Sequence, residues 1–177
     1  AFKVPVPANL PAIGGGDLSG VTAPSFAGAS GTGATGSEKG LTQVSVAAKR
    51  AIEGAFPEIT NIGGWRPQDG YNEHFSGQAL DVMIPNWSSP GGKAYGDSVA
   101  KYMLSNASAL GIDYILWQQR QWNADGTSSA MGDRGDPTQN HMDHIHAHTV
   151  KTPDLPGATA PRTPAPSTTS INIASAP

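Results

Sequence analysis

The chain has 177 residues, a net charge of −3 and no cysteine. That length allows one domain with a sizeable core, the acidic balance argues against a nucleic-acid binder, and the lack of thiols excludes disulfides and thiolate metal ligation. No apolar run approaches the roughly 20 residues of a membrane span, and AFKVPVPANL has neither the basic head nor the apolar core of a signal peptide.

The 22 Gly and 15 Pro are unevenly spread. Residues 1–38 form a Gly/Pro-rich flank and residues 152–177 a Pro/Thr/Ser-rich linker or tail, with few large apolar side chains in either. All four Trp, all four Tyr and all five His lie between them. This predicts one compact domain over 39–151 between two irregular flanks.

Within it, Leu41, Val44, Ala48, Ala51, Ile52 and Ala55 recur at helical spacing, so a helix is expected over 41–56, ended by Pro57. Residues 59–66 read as a short strand and 67–75 as a polar loop that delivers His74. Over 78–84, Leu80, Val82 and Ile84 alternate onto one face and Ala79, Asp81 and Met83 onto the other, the pattern of a strand with one core face. A charge on the second face needs a partner if it is covered.

Residues 85–92 read as a loop and 96–110 as a second amphipathic helix capped by Gly111. A strand is expected over 114–119, with Trp117 in the core. A long polar loop follows over 120–140, with Trp122 as a candidate substrate wall, and the last strand spans 144–150. The fold class is α+β: a small, mainly antiparallel sheet with two helices on one face, leaving the other open for a site.

Four of the five histidines fall in HMDHIHAH, 141–148, and the fifth, His74, stands seven positions before Asp81 in HFSGQALD. Alternation puts His144, His146 and His148 on one strand face. If that strand lies near 78–84, Asp81 meets one or two of these imidazoles, with His74 arriving from its loop. Two imidazoles and a carboxylate make an open catalytic zinc shell, and oxygen and nitrogen donors without sulfur point to Zn2+. His144 stands two residues from His146 on the same face, placed for proton transfer. Asp143 and His141 are the other nearby groups.

These residues resemble the zinc peptidases grouped as lysostaphin, D-alanyl-D-alanine metallopeptidases and sonic hedgehog. HFSGQALD fits the H-x-x-G-x-A-x-D pattern, HMDHIH fits an H-x-H motif with acid/base groups upstream, and GGWRP stands where the D-Ala-D-Ala branch has its arginine segment. The resemblance covers about 59–148. It implies His74, Asp81 and His146 as zinc ligands, His144 as the group that stabilises or shuttles protons at the scissile carbonyl, and Arg66 as a holder of a substrate carboxylate or the oxyanion.

Upstream, His141, His144 and His146 resemble the spacing of murein endopeptidases. Asp143 resembles the acid of the D-Ala-D-Ala peptidases, which use Glu there, so either group is a candidate base.

The resemblance further implies a peptidoglycan peptidase that hydrolyses an amide bond in stem peptides or cross-bridges with zinc-activated water. The alternative is a non-catalytic, zinc-containing cell-wall-binding module. The expected settings are extracellular, at the cell wall, or a virion, as an endolysin or a peptidase domain in a phage tail tape-measure protein. The isolated domain is expected to be a monomer.

Overall fold

A computed structural model describes residues 35–68 and 70–151. The two flanks expected over 1–38 and 152–177 therefore fall almost wholly outside the described residues. Residues 35–38 are the exception: Thr35 is buried, and its carbonyl accepts from Ile62 N at 2.7 Å. The domain's contacts thus begin before position 39.

In chain order the elements are α1 (Gln43–Ala55), β1 (Ile62–Gly63), β2 (Ala79–Met83), α2 (Pro90–Ser105), α3 (Ala107–Leu110), β3 (Ile112–Leu116), β4 (Arg120–Asn123), β5 (Ser128–Ala130) and β6 (His144–Thr149). The strands form one six-stranded sheet in the order β1-β2-β6-β3-β4-β5, every neighbouring pair antiparallel. The α+β class and the antiparallel sheet are as expected from the sequence. The last strand of the chain is an interior strand of the sheet, paired with β2 on one side and β3 on the other.

That placement fixes the two faces. Leu80, Val82, Ile115, Ile145 and Ala147 are completely buried and pack with Ala48 and Ile52 of α1 and Val99 and Met103 of α2. The alternate residues of β2 and β6 are left for the opposite face.

Several bounds depart from the sequence reading: the strand expected over 59–66 is only Ile62–Gly63, and the one expected over 114–119 is Ile112–Leu116. The second helix begins at Pro90 rather than 96, because Ser89 is its N-cap, accepting from Gly92 N at 3.0 Å, and Pro at the first helical position loses no hydrogen bond there. It also ends at Ser105, and α3 is a separate short turn closed by Gly111 in the left-handed region (φ 64°), so the described residues hold three helices instead of two. Finally, the loop expected over 120–140 contains the β4–β5 hairpin, whose polar strands at the sheet edge carry no core alternation to betray them. Trp122 sits on β4, is partly buried against the core and donates towards Trp117 O at 3.4 Å.

Among the described residues no helix is long and apolar enough to cross a membrane.

The turn before β2 is tied to α1. Gly77 O accepts from Thr42 N at 3.0 Å and from Ser45 Oγ at 2.7 Å, while Ser45 also bonds Thr149 of β6 at 2.8 Å. Gly77 has φ +76°, and a Cβ there would lie 2.2 Å from Gly40 O. Only glycine fits such a position without moving backbone. Gly77→Ala is expected to destabilise the domain by about 1–3 kcal/mol, seen as a lower thermal midpoint. An unchanged midpoint would show that the turn yields freely.

Candidate metal centre

The register of β2 and β6 builds the site. Asp81 stands directly opposite His146, and paired residues in an antiparallel ladder share a face. On the far side of β2, Gly63 pairs with Asp81. His74 comes from the turn closed by Gly77 N to His74 O at 3.0 Å and Gln78 N to Glu73 O at 3.0 Å. One donor atom from each of His74, Asp81 and His146 lies within 4.8 Å of the other two, a set able to hold a metal ion.

His74 is 2% exposed. Its Nδ1 sits 2.8 Å from Gly64 O, and because a carbonyl only accepts, the proton is on Nδ1 and the lone pair on Nε2. That Nε2 is buried without a hydrogen-bond partner and lies 3.3 Å from Asp81 Oδ2. A buried acceptor without a donor costs about 1–3 kcal/mol. A cation between His74 Nε2, the Asp81 carboxylate and His146 would remove that cost, so these residues fit a metal.

Asp81 is enclosed by donors. His146 Nδ1 lies 2.9 Å from its Oδ1, and Arg66 Nη1 donates to its Oδ2 at 2.7 Å. Burial pushes the carboxyl up, but the interactions with His146 and His74 outweigh it and hold it well below the ordinary carboxylate range. His146 faces carboxylates at both nitrogens, since its Nε2 lies 2.7 Å from Glu73 Oε2. Burial pulls its pKa down, but the bonds to Asp81 and Glu73 prevail and raise it to about 9. Without a metal, His146 is an imidazolium at neutral pH.

Around this trio stand the other predicted residues. His144 Nδ1 is 2.7 Å from Asp143 Oδ1, and its Nε2 is 3.6 Å from Asp81 Oδ1. Asp143 Oδ2 accepts from Thr138 at 2.7 Å. His141 is held at φ 52° with its ring 4.9 Å from that of His144 and 5.7 Å from that of His146. Its Nδ1 is a second buried atom without a partner. Burial, then the neighbouring His144 and His146, lowers its pKa to about 4, so His141 is neutral.

His148 lies one ladder step further out. It stacks on Tyr114 with ring centroids 5.0 Å apart and stays outside the trio.

Two groups at the site were not foreseen from the sequence. Gly64 contributes only a carbonyl, which no side-chain pattern announces. Glu73 immediately precedes His74, and its role depends on a contact with β6.

A family model described as the VldE C-terminal domain matches residues 37–142, more than half of the chain. The chain belongs to this family. The VldE C-terminal domain match takes in Arg66, Glu73, His74, Asp81 and His141 and stops just before β6. No curated protein and no solved structure matches.

Because His146 carries a proton below about pH 9, a metal at its Nδ1 must displace that proton. With zinc as the probe, affinity is expected to climb roughly tenfold per pH unit from pH 7 to 8.5 and to level off near 9. Competition titrations at stepped pH check this, and a flat profile over that range would contradict it.

Proposed function

We propose that this chain is a zinc-dependent peptidoglycan peptidase, related to the lysostaphin, D-Ala-D-Ala metallopeptidase and hedgehog group, that hydrolyses an amide bond in stem peptides or cross-bridges. The observation that carries this reading is the convergence of His74, Asp81 and His146 with His74 Nε2 buried and unpartnered. Two imidazoles and one carboxylate suit zinc and leave a coordination position for chemistry. Such an ion supplies Lewis-acid polarisation of a carbonyl and acidification of a water.

The surrounding side chains supply the rest. His144, steadied by Asp143 through Nδ1, keeps its Nε2 for the scissile carbonyl oxygen or the leaving amine. Both oxygens of Asp143 are engaged, by His144 and by Thr138. That favours Asp143 as the support of His144 and leaves His141 as the base, since its neutral ring has an unpartnered Nδ1. Arg66, about half exposed while it contacts Asp81, is set to receive a substrate carboxylate. Trp65, Tyr71 and Phe75 are exposed on the segment that carries His74 and offer an apolar rim for a peptide or glycan. The setting that fits this substrate is the bacterial cell wall or a phage particle that must breach it.

Digestion of purified peptidoglycan followed by mass analysis of muropeptides is the test. The wild-type chain with zinc should release new amino groups. His146→Ala should lose both metal and hydrolysis. His144→Ala should keep its metal within a few-fold while the rate falls about 10²–10⁴-fold. Zinc binding with no bond cleaved in any muropeptide would point instead to a wall-binding module.

A further inference from the structure

Glu73 bridges two strands of the sheet from outside it. Its Oε2 lies 2.7 Å from His146 Nε2, and its Oε1 accepts from Tyr114 Oη at 2.5 Å. Its backbone is equally fixed, because Glu73 O accepts from Gln78 N at 3.0 Å and from Ser76 Oγ at 2.9 Å. Tyr114 is held by β3 and by stacking on His148.

With Tyr114 Oη donating to Oε1, the Glu73 carboxylate stands as an acceptor at both oxygens, so the proton between Oε2 and His146 sits on Nε2. Nδ1, which faces Asp81 at 2.9 Å, is then the nitrogen that gives up its proton to leave a lone pair for an ion. His74 obeys the same logic through Gly64 O, with the opposite nitrogen presented.

We propose that Glu73, backed by Tyr114, is a positioning residue for the metal centre: by holding the Nε2 proton of His146 it commits Nδ1 to the ion and sharpens metal affinity. The inference rests on the metal reading given above. It extends that reading to two residues outside the motif histidines and Asp81. A ring left without such a partner divides between two tautomers and rotates, and only one tautomer presents a lone pair at Nδ1. Loss of an outer partner of this type weakens metal binding about 10–100-fold.

Zinc competition titration of the full chain, together with ¹⁵N NMR of the histidine rings, tests it. Wild-type protein that takes up no zinc would overturn the metal reading itself, whatever Glu73 does. If it binds, zinc-loaded wild type is expected to show His146 with Nε2 protonated, the proton protected from exchange, and Nδ1 shifted by the metal. Coordination through Nε2 overturns the proposal.

Glu73→Ala should weaken zinc about 10–100-fold and mix the His146 tautomers. Glu73→Gln, which keeps an acceptor oxygen, should restore the Nε2–H form and much of the affinity. Tyr114→Phe should fall between wild type and Glu73→Ala. Equal affinity and an unmixed tautomer in Glu73→Ala refute the role. If that variant does not fold, the ring assignment in the wild type still decides.

Discussion

Asp81 and His146 face each other across the β2–β6 ladder, and the site exists only in that register. Side chains alternate along a strand, so a slip of one residue would turn Ile145 and Ala147 outward and drive the histidines into the core. The slip is prevented from both sides of β6. The apolar residues of β2, β6 and β3 lock onto α1 and α2 on one face, and β6 is hydrogen-bonded to a neighbour along each edge. The face that carries Asp81 and His146 is held in register by the core face.

The electrostatics follow from burying a carboxylate. Asp81 is enclosed with little water, a costly place for a charge unless donors surround it. Arg66 and His146 take that part, and the same crowding makes His146 cationic. A proton on His146 and a metal ion are alternative ways to answer the same negative field, which is shared by Asp81 and Glu73. The field draws His146 in between the two carboxylates. It also explains why His141, just outside it and buried beside two imidazoles, is pushed the other way and stays neutral.

The glycines and the turn show how the backbone serves this arrangement. Gly64 offers a carbonyl to His74, and Gly77 makes the left-handed step that returns the chain to β2. Ser45 then ties that turn to both α1 and β6. The short H-x-x-G-x-A-x-D stretch is therefore a folding unit as much as a donor set. Its histidine, glycine, buried alanine and aspartate each answer a separate steric or electrostatic demand.

Much of this was legible in the sequence because it is periodic or local. Alternation over 78–84 and 144–150 assigned Asp81 to one face and His144, His146 and His148 to one face, and helical spacing located α1. The start of α2 and the β4–β5 hairpin were not legible. A prolyl helix start looks like a loop, and polar edge strands lack an apolar face. Nor could spacing show that the final strand lies inside the sheet between β2 and β3, that Glu73 and Tyr114 reach His146, or that His148 stands apart. The sequence by itself determined which side chains share a face, since strand geometry has a period of two. Only the tertiary structure decided which of them meet, since hydrogen bonds between strands and loops far apart in the chain leave no period to read.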